Sequence, residues 1–275
     1  MLKKSKKNAH SFRQMKDSQE SYSKLVCVTA YDYTFAKLVD QAEVDIVLVG
    51  DSLGMVVQGH SNTLSVTLEQ MIYHTQCVAR GIEQAHLCVD MPFMSYQVSS
   101  RDALRNAGRL VSEGKAHSVK LEGGVSIAKT VEKIVSSGIP VLGHVGLTPQ
   151  SVHQLGGYKI QGKTVSSREA LLQDALALED SGAFALVLEG IPTELAQVIT
   201  ERLKIPTIGI GAGPHCDGQV LVLQDLLGLN PDFKPKFVKA YSQLGEQVTN
   251  AIQQFATEVK ASRFPTIDHS FYAGS

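Results

Sequence analysis

The segment Ile46-Val-Leu-Val-Gly-Asp51 is an apolar run of strand length that ends in a carboxylate. The same pattern returns in His86-Leu-Cys-Val-Asp90, Ser118-Val-Lys-Leu-Glu122 and Phe184-Ala-Leu-Val-Leu-Glu189, and a fifth run, Pro140-Val-Leu-Gly-His144, ends in histidine. In an α/β barrel the C-terminal ends of the parallel strands converge on one mouth, where catalytic groups lie. The repetition therefore predicts that these acids share one site. The alternative for each single acid is that it ends a strand and caps the next helix.

The remainder of the chain alternates between strand and helix. Strands are predicted at 25–30, 46–50, 86–90, 118–122, 140–144, 184–189, 206–210 and 219–223. Their apolar runs are continuous, as strands buried on both faces require. Patterns with helical spacing lie between them over 99–114, 126–138 and 167–182, and each ends near a glycine. Eight strands with intervening helices predict an α/β protein with a single closed (β/α)8 barrel.

Two regions are predicted along the chain, residues 1–23 as an N-terminal tail with a short helix around 11–21, and residues 24–275 as the barrel with a C-terminal helical segment. Within that segment, 236–262 is predicted to form one long helix or a broken pair of helices. Two long connections, 53–66 and 146–165, follow strands at the catalytic end. Long loops of this kind are usually functional. Their glycines either act as hinges of a lid or permit tight turns.

Composition excludes several classes of protein. With 26 basic and 27 acidic residues, the net charge is −1, so no overall field would recruit nucleic acid or a membrane surface. No apolar stretch reaches the roughly 18 residues of a membrane span, and no secretory signal is apparent, so a cytoplasmic location is expected. The cysteines lack the CxxC spacing of structural zinc sites; they are Cys27, Cys77, Cys88 and Cys216.

The predicted mouth is rich in hard oxygen ligands. Asp51, Asp90 and Glu122 would repel one another by about 4 kcal/mol per close pair at an effective dielectric of about 20, so the cluster requires a cation or a proton. Carboxylates without cysteine suit Mg²⁺, which keeps water and substrate oxygens among its ligands. Such open coordination positions are what Lewis-acid catalysis needs.

Other residues at the same end carry complementary chemistry. Because side chains alternate along a strand, Lys120 and Glu122 are predicted to share the inner face, where the lysine would hold an anionic substrate or balance charge. Glu189 is a candidate base, and His144 is a candidate ligand, acid/base group or hydrogen-bond anchor. The run Ile208-Gly-Ile-Gly-Ala-Gly213 is typical either of a phosphate-binding loop or of a tight barrel corner.

Eight motifs, distributed over nearly the whole chain, resemble those of the 3-methyl-2-oxobutanoate hydroxymethyltransferase (ketopantoate hydroxymethyltransferase) family. They are Val28-Thr-Ala-Tyr-Asp32, Val49-Gly-Asp-Ser-Leu-Gly54, Asp90-Met-Pro-Phe93, Val119-Lys-Leu-Glu-Gly-Gly124, Gly143-His-Val-Gly-Leu-Thr-Pro-Gln150, Gly156-Gly-Tyr-Lys159, Leu188-Glu189 and Gly209-Ile-Gly-Ala-Gly213. Each motif is weak alone, and the set in this order is specific. The chain departs from the family pattern at Gly190, where members often carry cysteine, and in its basic N-terminal tail.

The resemblance implies a TIM barrel of the phosphoenolpyruvate/pyruvate type and a homodecamer. It implies Mg²⁺ at Asp51 and Asp90, with Glu122 in or next to the coordination shell. These two aspartates, together with Ser52 and Lys120, would bind the substrate. Glu189 would be the catalytic proton acceptor, and His144 an auxiliary group.

The reaction implied by the resemblance moves a hydroxymethyl group from 5,10-methylenetetrahydrofolate to 3-methyl-2-oxobutanoate. The product is 2-dehydropantoate, formed through a Mg²⁺-stabilised enolate in pantothenate and coenzyme A biosynthesis. Two alternatives stay open from the residues alone. One is another Mg²⁺-dependent enolate lyase or aldolase of the same barrel type, and the other is a non-catalytic protein that binds an anionic metabolite or metal.

Overall fold

The computed structural model describes residues 7–16, 23–230 and 235–273. Eight parallel strands form a closed barrel in chain order, with β8 paired to β1. They are β1 (Leu25–Thr29), β2 (Ile46–Val49), β3 (His86–Asp90), β4 (Ser118–Glu122), β5 (Val141–Gly146), β6 (Ala185–Glu189), β7 (Thr207–Ile210) and β8 (Gly218–Leu221). All eight predicted strands are confirmed to within two residues at either end, and with them the fold class.

Helices alternate with the strands along the chain, and two further helices, α10 and α11, follow β8. Their bounds are α1 (Ala9–Gln14), α2 (Tyr33–Gln41), α3 (Leu53–Val56), α4 (Leu68–Ala79), α5 (Ser100–Ser112), α6 (Ala128–Val135), α7 (Val152–Leu155), α8 (Val165–Asp180), α9 (Thr193–Arg202), α10 (Leu223–Leu226) and α11 (Leu244–Lys260). Thr67 and Thr164 each accept a hydrogen bond from the third residue of the following helix, which completes a capping box at α4 and α8. Among the described residues, no helix is long and apolar enough to cross a membrane.

The register of the barrel places the strand ends side by side. Asp90 on β3 is paired with Lys120 on β4, and Glu122 at the end of β4 is paired with His144 on β5. Glu189 at the end of β6 is paired with the last residue of β5. Groups that lie far apart in the sequence therefore become neighbours around one rim.

The glycines that follow the helices act in two different ways. Gly138 and Gly182 adopt the left-handed conformation that ends a helix, as predicted. After α5 the left-handed residue is Lys115 instead. Gly114 is required there for space, because an added Cβ would lie 2.5 Å from the carbonyl oxygen of Leu110.

The two long connections contain short helical turns. The first begins with α3, and the second contains a 3-10 turn (Pro149–Ser151) followed by α7. Short turns of this kind satisfy backbone groups that an open loop would leave unpaired. They also fix the direction of the side chains that follow β2 and β5.

The chain divides into two compact units, Met1–Val222 with the barrel and Leu223–Ser275 with α10 and α11. Within the second unit, α11 begins at Leu244, so a helix starting at residue 236 was a wrong prediction. The backbone N–H groups of Tyr241 and Leu244 bond to the carbonyl oxygens of Leu226 and Leu227, which replaces helical pairing. The predicted N-terminal helix corresponds in part to α1, and residues 17–22 lie outside the described residues. The division at residue 23 stays a prediction.

Helix α1 packs against apolar residues of the strands. Phe12 of α1 is buried in the core cluster with Phe184, and both rings lie edge-on to His86, with centroids 5.6 and 5.5 Å away. His86 donates to or accepts from Ser118 Oγ at 2.8 Å through Nε2, while its Nδ1 has no hydrogen-bond partner among the described residues. Burial, together with the neighbouring His117, lowers the pKa of His86 to about 3.

We expect His86 to make the barrel sensitive to acid. The unfolded chain binds a proton at this residue below its ordinary pKa of 6.5, whereas the folded chain does not until about 3. The free energy of unfolding should therefore fall as pH drops through this window, by up to about 1.4 kcal/mol per pH unit. Urea unfolding between about pH 7.5 and about pH 5 measures this dependence. His86→Gln should flatten it, and His10→Gln, on the exposed side of α1, should not. Equal slopes in wild type and His86→Gln would contradict the assignment.

Candidate active site

Lys120 lies at the centre of the charged groups that the strand ends bring together. Its Nζ is 3.0 Å from Asp90 Oδ1, 3.9 Å from Glu122 Oε1 and 3.2 Å from His144 Nδ1. Burial alone would lower the pKa of Lys120, but Asp90, Glu122 and Asp51 hold that pKa above its ordinary value. The residue is therefore a buried ammonium, on the same inner face as Glu122 as strand alternation predicted.

Asp51 follows β2 and is tied to the end of β3. Its backbone N–H donates to Asp90 Oδ2 at 3.0 Å, and its own Oδ2 accepts from Gln150 Nε2 at 2.8 Å. Burial raises the pKa of Asp51, and the charges of Asp90 and Glu122 raise it further. Its negative charge is therefore poorly compensated by the protein alone, which is the condition under which a carboxylate gains from a bound cation.

His144 forms a bridge between two acids of the rim. Its Nδ1 lies 3.4 Å from Glu122 Oε1 and its Nε2 lies 3.2 Å from Glu189 Oε2. Burial and Lys120 lower the pKa of His144, but its contacts with the two glutamates outweigh them and bring it to about 9. The two glutamates therefore favour the protonated form of the ring, which lies against Glu189.

The two glutamates differ in their surroundings. Burial raises the pKa of Glu122, yet the contact with His144 and the charges of His144 and Lys120 hold it below its ordinary value. Only 3% of the Glu122 side chain is exposed, against 19% for Glu189. Glu189 is thus the acid that an incoming molecule can reach.

Ser52 occupies the turn between β2 and α3. Its Oγ lies 2.8 Å from the hydroxyl oxygen of the buried Tyr31. An added Cβ at Gly50 would lie 2.7 Å from the same Oγ, so the glycine makes room for this hydroxyl. Ser52 was assigned through the family resemblance; Tyr31 belongs to another of the motifs that carry this resemblance, but no role was predicted for it.

Two further residues of the mouth were missed by the sequence interpretation. Gln150, from the 3-10 turn after β5, contacts both Asp51 and Glu122. The hydroxyl of Tyr96, from the loop after β3, donates to Gln150 Oε1 at 2.8 Å and accepts from the N–H of Glu122 at 3.2 Å. Gln150 ends one of the motifs that carried the resemblance, but neither residue type predicts a role by itself.

The mouth fits a hard divalent cation. Asp90 Oδ1 lies 3.0 Å from Lys120 Nζ and Glu122 Oε1 lies 3.4 Å from His144 Nδ1, but neither buried oxygen accepts a hydrogen bond of good geometry from the described residues. Within those residues, no cluster of three or more His, Cys, Asp or Glu groups is arranged to hold a metal alone. A cation here would therefore take few protein ligands and complete its coordination with water and substrate, as Mg²⁺ usually does.

The glycine-rich segment after β7 packs tightly. A Cβ added at Gly209 would lie 2.9 Å from Cys216 Sγ, and a Cβ added at Gly213 would clash with the Thr193 side chain. Close packing accounts for these glycines without an anion. Of the two interpretations of the segment, the structure favours a tight barrel corner.

The family model and the similar proteins identify the same family. The model of ketopantoate hydroxymethyltransferase matches residues 6–267. Proteins named 3-methyl-2-oxobutanoate hydroxymethyltransferase are similar over nearly the full length: 55% identical in Anaeromyxobacter dehalogenans (97% of this chain, 87% of the relative), 52% in Geobacter metallireducens (97% and 98%) and 50% in Clostridioides difficile (95% and 95%).

Solved structures with the same fold are more distant in sequence. Phosphonopyruvate hydrolase, solved as a complex with oxalate and Mg²⁺, has a TM-score of 0.62 at 11% identity and covers 97% of this chain and 92% of its own. A 2,3-dimethylmalate lyase of the PEP mutase/isocitrate lyase superfamily has a TM-score of 0.62 at 17% identity, with 96% and 88% covered. At these identities the likeness shows the fold alone.

Proposed function

The chain belongs to the ketopantoate hydroxymethyltransferase family, and we propose that its mouth performs the family's reaction with Mg²⁺ and 5,10-methylenetetrahydrofolate. The substrate is 3-methyl-2-oxobutanoate and the product 2-dehydropantoate, an intermediate of pantothenate synthesis. One observation supports the site most strongly. Glu189, the more exposed of the two rim glutamates, is held by His144 against the buried group of Lys120, Glu122 and Asp90.

The proposed chemistry begins with proton transfer. Glu189 accepts the proton from C3 of the 2-oxo acid, and the electron pair of that C–H bond delocalises onto the 2-oxo group. The resulting enolate carbon attacks the methylene carbon carried by the folate, which forms a C–C bond and breaks one of the two C–N bonds of that carbon. Water then displaces the second folate nitrogen, so that a C–O bond forms and the second C–N bond breaks. Tetrahydrofolate leaves with one proton from Glu189 and one from the water. His144 lies against the Glu189 carboxylate, with its Nε2 3.2 Å from Glu189 Oε2, and keeps the carboxylate in place.

The remaining residues bind and orient the substrate. Lys120 presents a buried positive charge to the carboxylate of the 2-oxo acid, and Ser52 offers a hydroxyl next to it. Asp51 and Asp90, with Glu122 beside them, would hold Mg²⁺. When bound, Mg²⁺ would supply Lewis acidity that stabilises the negative charge developing on the 2-oxo group.

Proton exchange tests this function directly. In D₂O, the wild-type chain with Mg²⁺ should exchange the C3 proton of 3-methyl-2-oxobutanoate without folate, as followed by proton NMR. Hydroxymethyl transfer should then require 5,10-methylenetetrahydrofolate. Folate-independent cleavage of a C–C bond in a 2-hydroxy acid would favour the lyase alternative. Absence of both exchange and turnover would favour a protein that only binds a metabolite.

We expect Lys120→Met to weaken 2-oxo acid binding much more than Mg²⁺ binding. The variant loses a charge-assisted hydrogen bond, which should cost about 1.5–3 kcal/mol of substrate affinity. Asp90 and Glu122 meanwhile lose their compensating cation, so their attraction for Mg²⁺ should not fall. Calorimetric titration of each ligand measures the two affinities. Lys37→Met, at an exposed position of α2, is the matched control. Unaltered affinity for the 2-oxo acid would remove Lys120 from the substrate site.

The assembly and location belong to the same proposal. The homodecamer implied by the resemblance is supported by the apolar face that α11 exposes, in which Val248, Ile252 and Phe255 are 43%, 61% and 54% exposed. Light scattering coupled to size exclusion measures the mass of the assembly. A monomer at micromolar concentration would contradict the decamer. A cytoplasmic location stays a prediction from the sequence.

A further inference from the structure

Gln150 is a buried amide at the centre of an acidic site. It is 6% exposed and belongs to the 3-10 turn after β5. Its Nε2 donates to Asp51 Oδ2 at 2.8 Å and to the carbonyl oxygen of Met91 at 2.9 Å. Its Oε1 accepts from the Tyr96 hydroxyl at 2.8 Å and from Gln97 Nε2 at 3.1 Å. All four hydrogen-bonding positions of the amide are therefore used.

These partners allow only one orientation of the amide. A carboxylate and a carbonyl oxygen face the NH₂ group, and neither of them can donate. Rotation by 180° would place Gln150 Oε1 against both oxygens and would leave the Gln97 amide facing another donor. The Tyr96 hydroxyl strengthens the arrangement, because it accepts from the N–H of Glu122 while it donates to Gln150. The position of Nε2 is thus fixed by partners from the connections after β2 and β3.

The backbone of the same residue holds a second acid. The N–H of Gln150 donates to Glu122 Oε2 at 2.9 Å. One residue therefore engages one oxygen of Asp51 and one oxygen of Glu122. On Glu122 the other oxygen, Oε1, accepts no hydrogen bond of good geometry from the described residues. Because Gln150 is uncharged, it orients both carboxylates and leaves their negative charge in place. A lysine or arginine at this position would neutralise that charge.

We propose that Gln150 is a positioning residue that holds one oxygen of Asp51 and one oxygen of Glu122 and so orients both carboxylates for a divalent cation and its substrate. The proposal rests on the proposed function, since the cation is the one assigned to this mouth. It predicts that Gln150 acts through Asp51, and that its loss disturbs cation binding beyond any loss of folding stability.

A direct titration of Mn²⁺, followed by electron paramagnetic resonance, tests the proposal without relying on turnover. Gln150→Met keeps the length of the side chain and removes the amide. Its Mn²⁺ affinity should fall at least about tenfold, as for other partners that orient metal ligands. Gln76→Met is the matched control, because Gln76 also donates to a backbone carbonyl, that of Glu113 at 3.1 Å, but on the surface of α4. It should bind Mn²⁺ as wild type does.

A double-mutant cycle with Asp51→Asn shows whether the effect passes through Asp51. If it does, Gln150→Met should weaken Mn²⁺ binding little further once Asp51 is changed, since the two losses share one contact. A merely structural role would lower the melting temperature without producing this coupling. Gln150→Asn keeps the amide on a side chain that is one methylene shorter. This variant replaces Gln150→Met in the titration if Gln150→Met does not fold. The same direction of change is expected.

Wild-type Mn²⁺ affinity in a folded Gln150→Met or Gln150→Asn variant would overturn the proposal, and so would fully additive losses in the cycle. Failure of the proposed function has a different signature. Wild-type chain that binds Mn²⁺ but does not exchange the C3 proton would count against the reaction, while the Mn²⁺ affinities of the variants would still decide the role of Gln150.

Discussion

Glu189→Gln is expected to lose C3 proton exchange almost completely while it still binds Mg²⁺ and 3-methyl-2-oxobutanoate. The amide keeps the size of the side chain and can still contact His144, whose Nε2 lies 3.2 Å from Glu189 Oε2. It cannot accept the proton. A positioned general base typically contributes about 10²–10⁴-fold, so exchange and hydroxymethyl transfer should both fall by about that factor.

The measurement is exchange into D₂O with saturating Mg²⁺, together with a melting curve. Folding should be little affected, because the structure does not use Glu189 to cap the next helix: Pro192 precedes α9, and no side chain caps it. Glu194→Gln, an exposed change in the first turn of α9, is the control and should exchange at the wild-type rate. Wild-type exchange in Glu189→Gln would exclude this residue as the base and would direct attention to His144.

Asp51→Ala should abolish most activity and leave the fold at least as stable as in wild type. Changes to groups that only orient a metal ligand typically cost 10–100-fold in affinity or activity, so loss of the ligand itself should cost more than about 100-fold. The stability argument follows from the raised pKa of Asp51. The folded chain holds this proton more tightly than the unfolded chain, so ionisation above the ordinary pKa of 3.8 costs stability at neutral pH, and alanine removes that cost.

Asp90→Ala should abolish activity equally but destabilise the barrel. The Asp90 carboxylate accepts from the N–H of Asp51 and lies 3.0 Å from Lys120 Nζ. Its removal leaves a buried ammonium with fewer compensating charges, which is costly. Mg²⁺ dependence of exchange and urea unfolding measure the two effects, with Asp102→Ala on the exposed start of α5 as control. Unchanged Mg²⁺ affinity in both Asp51→Ala and Asp90→Ala would place the cation elsewhere.

Much of the barrel could be predicted from local pattern. Continuous apolar runs such as Ile46–Val49 and Ala185–Glu189 mark strands buried on both faces, and the run length gives their bounds closely. The helical pattern over 167–182 matches α8, whereas α4 was not predicted. The start of α11 was harder to predict, because the backbone N–H groups of Tyr241 and Leu244 bond to the carbonyl oxygens of Leu226 and Leu227. The spacing of apolar residues within the segment gives no information about backbone hydrogen bonds to another part of the chain.

The sequence by itself determined that Asp51, Asp90, Glu122 and Glu189 lie at one end of a closed barrel, and that Lys120 faces inward with Glu122. These conclusions follow from strand direction and side-chain alternation, which are properties of the local chain. Only the tertiary structure decided that His144 bridges Glu122 and Glu189, and that the amide of Gln150 reaches Asp51 across 99 positions of sequence. A hydrogen bond depends on distance and angle to within a fraction of an ångström, and these are set by the register of the whole barrel and the path of its loops, which no local pattern contains.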